Sequence, residues 1–391
     1  AMDVHVVQGL GEVDPNEWNA LVGDDDPFVE HAFLHVLEES GSVGGRAGWL
    51  PLHLMVRDDS GRAIGALPLY LKDHSYGEYV FDWGWADGAA RAGVEYYPKL
   101  VSMAPMTPAT GRRLLIHPEA DPAVVTRALV AGLRAVAEET SASSIHLLYV
   151  TPEERDAVVE ASRDLAGEHD AFAARVSMQY HWHTQGDRSF AVFLGRFRSS
   201  ERKKVRKERR AVVDAGLEIA VRPGSELSAS DWELLRRFYR DTCMRKGSHP
   251  YLTNRFFDLA ATRLAHVALG VFALRDGEPV AATLSFEKGA HLYGRYWGCL
   301  EDHEMLHFEL CYYQLIERAI ARGVTRFEAG AQGGHKLKRG LLPAEVHSVH
   351  WIADPRLRFG VQEFLQREAA QVRRQIAMLE EHGPFRRDTC E

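Results

Sequence analysis

The chain is poor in cysteine. Cys243, Cys299, Cys311 and Cys390 are its four, and none share a C-x-x-C spacing. They spell neither a metal site nor a disulfide framework, and a reducing compartment fits. The 19 histidines include no H-E-x-x-H pair, so no metal is expected. No stretch approaches the roughly 18–20 apolar residues of a spanning helix. The opening AMDVHVVQGL lacks the basic and apolar regions of a signal peptide. These absences lead to the expectation of a cytoplasmic protein without a membrane span. Cations are in deficit, and the formal net charge is −8. The surface as a whole therefore attracts neither nucleic acid nor membrane, and any polyanion site must be local. No G-x-S-x-G elbow is present, and nothing argues for a covalent serine or cysteine intermediate.

What is there is ordinary globular composition, 46% hydrophobic and 26% charged, over a length that suggests roughly two to three domains. The strongest pattern is an internal repeat. Residues 52–87 read LHLMVRDDSGRAIGALPLYLKDHSYGEYVFDWGWAD, and residues 269–302 read LGVFALRDGEPVAATLSFEKGAHLYGRYWGCLED. Each runs strand, acidic-Gly turn, strand, polar loop, aromatic strand, then Trp-Gly and an acid. The turns fall at Asp59-Ser60-Gly61 and Asp276-Gly277, and Trp83-Gly84 is matched to Trp297-Gly298. The spacing in His307–Arg322 predicts a helix ended by Gly323, with TRFEAGA as the next strand. In the first copy, Asp121–Thr140 is the matching helix and Ser144–Val150 the matching strand. The layout is α+β, duplicated. The lobes are expected to meet near Gln185-Gly186-Asp187, giving domains 1–185 and 186–391. A helix from Asp231 to about Lys246 and an amphipathic one from Arg356 to Glu380 complete the second lobe. Nothing in the sequence sets the oligomeric state.

The blocks HSYGEYVFDWGWAD, EYYPKL, LYGRYWGC, HFELCYYQLIERAI and FEAGAQGGHKLKRGLLP resemble the bacterial N-acyltransferases related to the Fem peptidoglycan aminoacyltransferases. The resemblance covers nearly the whole chain. It implies two GNAT-like domains in tandem, mostly antiparallel mixed sheets flanked by helices. Two positions depart from the family pattern. Gly334 stands where an acid usually precedes the histidine, and Gly247-Ser248-His249 replaces a Trp-Gly pair before Pro-Tyr-Leu.

The run 196–210, RFRSSERKKVRKERR, holds nine cations against Glu201 and Glu208. As a helix capped by Ser199 or Ser200, it would align Arg202, Arg206 and Arg209 on one stripe and Lys203, Lys207 and Arg210 on another. With Lys204, these cations suit the phosphates of RNA or a nucleotide carrier. The alternative is a solvated helix paired to acidic neighbours. The resemblance implies a place near the donor.

GNAT enzymes that use coenzyme A carry a Gly-rich loop whose amides bind pyrophosphate after the fourth strand. Here that junction reads CLEDHEML, with no glycine and three acids, and the first-lobe stretch ADGAARAG has the wrong spacing. Acids there repel a pyrophosphate. The expected donor is therefore aminoacyl-tRNA, as in the Fem relatives, with acyl-CoA as the alternative and no bound cofactor.

In Gly330–Gly340, glycine amides followed by His335, Lys336, Lys338 and Arg339 suit a phosphate or carboxylate; Gln332 joins this substrate-binding set. The spacing is not that of a Walker loop. On the strand His291–Gly298, Arg295, Tyr296 and Trp297 are placed to face substrate or to pack. Glu328 is the first candidate to accept the amine proton, with His307 and Glu309 as the others; Arg295 is a candidate for the oxyanion. For Glu328 the competing reading is a salt bridge to Arg326 or Lys338. In the first lobe Asp82, Trp83, Trp85, Tyr96, Tyr97 and Lys99 form an aromatic-rich patch, read either as acceptor lining or as core. The expected acceptor is the amine of a small molecule or peptide. A non-catalytic binder of peptidoglycan precursors or RNA is the reading of another class.

Overall fold

The structure, a computed structural model, describes residues 2–331 and 333–387, and of Glu304 the backbone only. The chain divides into two compact units, Ala1–Ser177 with Glu345–Arg374, and Met178–Ala344 with Gln375–Glu391. The strands are β1 (Asp3–Val7), β2 (Trp49–Pro51), β3 (His53–Arg57), β4 (Ala63–Leu67), β5 (Tyr70–Lys72), β6 (Lys99–Ser102), β7 (Leu115–Ile116), β8 (Ser144–Val150), β9 (Ala173–His183), β10 (Glu218–Pro223), β11 (Ala268–Arg275), β12 (Glu278–Lys288), β13 (His291–Cys299), β14 (Arg326–Glu328) and β15 (Leu342–Ile352). The chain passes from one unit to the other inside β9, again inside β15, and a third time between Arg374 and Gln375, inside the helix Pro355–Glu381.

In the first unit, β1, β3, β4 and β7 pair in that order, all antiparallel. A second set runs β15-β8-β6-β5-β2, in which only β6 and β8 are parallel. The helix Pro122–Thr140 crosses before β8. Asp121 caps it by accepting from the Ala123 amide, and Pro122 sits where no amide is needed. Its apolar stripe, Val125, Leu129, Leu133 and Val136, packs with Leu100, Ile145 and Leu147.

In the second unit, β10 to β13 form an antiparallel meander, and β14 joins β13 in parallel. The β11–β12 turn places Asp276 and Gly277 both at positive φ, the geometry of a twisted two-residue hairpin. Ser228 and Asp231 form a capping box for the helix Ala229–Arg245. The predicted helix after β13 is not uniform. It is Glu304–Phe308, one π turn at Glu309–Tyr313, then Gln314–Arg322, closed by Gly323 at positive φ. Both units thus run antiparallel strands, crossing helix, parallel strand, the GNAT-like order.

The repeat is in the wrong register over its last third. Glu78–Asp82 is not a strand, and Trp83-Gly84 opens the helix Trp83–Arg91, whereas Trp297-Gly298 lie inside β13. The first-unit counterpart of β13, the strand parallel to its successor, is β6. Residues 73–98 are an insertion ahead of it. The stretch 86–93, matched above to a loop, is mostly the body of that helix, where its amides are already bonded. The basic helix spans Ser199–Asp214; Arg196 and Arg198 precede it. Its N-cap is Arg198, with no side-chain bond, so neither Ser199 nor Ser200 caps it.

Candidate functional site

Strands β13 and β14 pair only from His291 to Tyr293 against Arg326 to Glu328. Beyond Tyr293, β13 runs on to Cys299 without β14. A bulge in β12–β13 falls at the same point, leaving Arg295 as the extra residue between Gly294 and Tyr296. Bulges re-aim side chains and recur beside active sites. Arg295 lies 5.0 Å over the Tyr296 ring. The π turn after β13 is a second local irregularity of the kind found at functional sites.

These elements gather Lys246, His307, Cys311, Tyr312 and Lys336. The His307 ring stands 5.1 Å from Trp297 and 5.6 Å from Tyr312. Burial, with Lys246, His335, Lys336 and Arg339 nearby, lowers its pKa to about 4, so the imidazole is neutral at neutral pH. Lys336 is buried at the start of the short helix His335–Lys338 and donates to the Gly330 carbonyl at 3.1 Å. Gly330 and Gly333 take positive φ and let the backbone turn around the ammonium, whereas Gly334 does not. No carboxylate among the described residues pairs with Lys336. Burial, reinforced by Lys246, lowers its pKa to about 8. Burial pushes the Cys311 thiol up to about 12, which leaves it an inert thiol. The result is a half-enclosed group of cations with a neutral imidazole, able to hold an anion or a developing oxyanion and to take up a proton.

The two carboxylates and the imidazole proposed from sequence are not equivalent. Glu328 is buried, 2.9 Å from Arg326 Nε and 3.7 Å from His181. Glu309 is buried against Arg209, 2.9 Å away, and burial raises its pKa. His307 alone stands with Lys336. Trp297 is half-buried, and Tyr296 packs edge-on against Tyr239 at 5.0 Å. His335 is exposed beside Phe308, and Lys338 is exposed, donating to the His382 carbonyl. Gln332 lies outside the described residues.

The basic helix has two faces. Arg209 is spent on Glu309 and Glu317, and Glu208 is spent on Arg339 and Tyr313. Arg202 donates to the Phe197 carbonyl. Lys203, Arg206 and Lys207 are exposed and make no ion pair with a described residue. Lys204 and Arg210 are also exposed and pair only along the helix, with Glu201 and Asp214.

The first-unit candidates form a different kind of centre. Lys99 is fully buried and donates to Glu78 at 2.7 Å, Asp82 at 2.6 Å and Ser75 at 2.9 Å. Lys72 donates to the other Glu78 oxygen at 2.6 Å. The Tyr96 hydroxyl donates to Asp82 at 2.5 Å. Trp85 stacks on His146 and meets His350 edge-on; the two histidines touch through Nδ1 at 2.7 Å. Burial keeps both imidazoles neutral. Trp83 alone of this group is exposed. Sequence reading missed Lys72, Glu78, His146 and His350, although a histidine inside the apolar run SIHLLYV was a visible signal. It also missed Lys246, a lone lysine at a helix end.

The family model FemAB_like, described as peptidoglycan biosynthesis/recognition, matches residues 9–387. The structure is similar to that of FemX, at 12% identity and a TM-score of 0.55, over 90% of this chain and 99% of that one. It is similar also to the C-terminal domain (DUF2156) of a putative lysylphosphatidylglycerol synthetase from Agrobacterium fabrum, at 9% identity and a TM-score of 0.55, over 91% and 96%. At such identities the likeness shows the fold alone. No sequence match was found among curated proteins.

Proposed function

The chain belongs to the FemAB-like family, and from that premise we propose that it is an N-acyltransferase moving an aminoacyl group from tRNA to an amine. The observation that carries this reading is Lys336, a buried ammonium that no carboxylate among the described residues partners, set where β13 and β14 part. Such a group is costly unless a ligand anion or a transition-state oxyanion completes it. The acceptor amine attacks the ester carbonyl, a C–N bond forms, and the oxyanion develops toward Lys336 Nζ. His307, neutral and adjacent, takes the ammonium proton. The tetrahedral centre then collapses, the C–O bond to the ribose breaks, and the departing oxygen recovers a proton from the imidazolium. Atoms and charge balance, and no cofactor enters.

Two features favour tRNA over acyl-CoA as donor. The exposed Lys203, Arg206 and Lys207 offer phosphate contacts along about one helical turn. The turn after β13 is closed by Glu301, which is locked to Arg275 at 2.8 Å and to His303 at 2.8 Å. The test is to incubate the protein with tRNA charged with labelled amino acids, or with labelled acyl-CoA, and a panel of amines and muramyl peptides. Label in an amide from charged tRNA is the expected result. Label only from acyl-CoA overturns the donor, and none from either donor across the panel overturns the activity.

A further inference from the structure

The insertion 73–98 turns the usual arrangement of a surface loop inside out. From Ser75 to Trp85 its two ionisable acids, Glu78 and Asp82, are buried, 2% and 3% exposed, and fixed to Lys72 and Lys99. The exposed side chains in that stretch are all aromatic: Tyr76 at 58%, Tyr79 at 38%, Phe81 at 58% and Trp83 at 41%. Water favours the opposite pattern, because burying a charge costs free energy and exposed aromatic area forgoes the gain of burial.

The backbone under these rings is held in place. Lys72 Nζ donates to the Tyr76 carbonyl at 2.7 Å, the Tyr149 hydroxyl to that of Tyr79 at 3.0 Å, and Arg175 to that of Phe81 at 2.9 Å. Tyr79 is kept at φ 58°, unfavourable for an aromatic residue. Tyr76 and Trp83 meet edge to face at 5.2 Å. The ionic cluster therefore acts as a rigid base that presents an uncharged aromatic face.

We propose that this face inserts into the interfacial layer of a lipid membrane. Trp and Tyr combine a large apolar ring with a polar tip, which suits the depth of the headgroups. Protein hot spots pair Trp and Tyr with Arg, and the stretch from Ser75 to Trp85 contains no arginine. No helix of the described residues is long and apolar enough to cross a membrane, so the contact is peripheral. Asp73 and Asp87, exposed on either side, bring no attraction for anionic headgroups. Binding is thus driven by ring burial rather than by charge.

The experiment is flotation of the full chain with phosphatidylcholine vesicles, with and without phosphatidylglycerol, at low salt and about 0.5 M salt. The expected result is flotation with phosphatidylcholine alone that salt does not weaken. The triple variant Tyr76→Ser, Phe81→Ser, Trp83→Ser should lose it by about tenfold or more, and Tyr76→Trp with Phe81→Trp should retain it. A thermal melt confirms that the surface variants fold. Three results overturn the proposal: no flotation, flotation only with phosphatidylglycerol and abolished by salt, or a wild-type dimer that the triple variant dissociates.

Discussion

A parallel strand pair stands in each unit, and the surroundings of the two differ. In the second unit, β13 and β14 part after three residues, and the cations Lys246 and Lys336 beside them, with the neutral His307, pair with no carboxylate among the described residues. In the first unit, β6 and β8 are backed by Lys99, Lys72, Glu78 and Asp82, whose charges cancel through contacts of 2.6–2.7 Å. One centre has no internal counter-charge among the described residues and is the proposed site. The other is satisfied internally and stiffens a scaffold. The number of buried charges does not mark a site; what marks it is whether the charges already have partners.

The sharpest way to break this contrast is to remove one lysine from each centre. Lys99→Met leaves Glu78 and Asp82 buried with one cation between them, and should cost about 3–5 kcal/mol of stability, read by urea unfolding. Lys336→Met removes a cation with no counter-charge among the described residues. It should leave the melt close to wild type while lowering kcat/KM for transfer by about 10²–10³. Stability lost at Lys336 with activity intact at both sites would reverse the assignment of roles. The pH profile sharpens the same point. Lys336 titrates at about 8, so its ammonium is present below that pH and lost above it. In the wild type kcat/KM should fall about tenfold per pH unit on the alkaline side, and Lys336→Met should lack that limb.

The basic helix extends the contrast to the surface. Changing Lys203, Arg206 and Lys207 to Glu should weaken tRNA binding by more than about tenfold and flatten its salt dependence by roughly three phosphate contacts. Filter binding at several salt concentrations measures both. An unchanged salt slope would make the helix a solvated face.

Much of the architecture was legible because local chemistry agrees with the fold. Asp121 with Pro122 marks a helix start, Gly323 a helix stop, and Asp276-Gly277 a hairpin, and each stands where expected. The register of the repeat was not legible. YVFDWGW and YGRYWGC have similar composition, and a short aromatic run does not distinguish a strand from a loop entering a helix. What separates them is long-range: Asp82 is drawn inward by Lys99 and Tyr96, and no periodicity reports that pairing. The Gly-rich segment 330–340 could be read as a place for an anion. That Lys336 in it is buried while Lys338 is exposed follows from packing of Leu337 and its neighbours, which only coordinates display.

The smallest expected effect concerns the turn after β13. In a coenzyme-dependent GNAT unit that turn supplies glycine amides to a pyrophosphate. Here Glu301 sits in it, held by Arg275 and His303, with its pKa lowered to about 2, chiefly by the bond from Arg275. Glu301→Gln removes one negative charge and creates no amide nest. Affinity for coenzyme A, measured by calorimetry, should therefore change by no more than about twofold from a very weak starting value. A large gain would mean that charge alone had been excluding the pyrophosphate. The second unit would then be a coenzyme site closed by a single carboxylate, and its unsatisfied cations would have to be reassigned to an acyl-CoA donor.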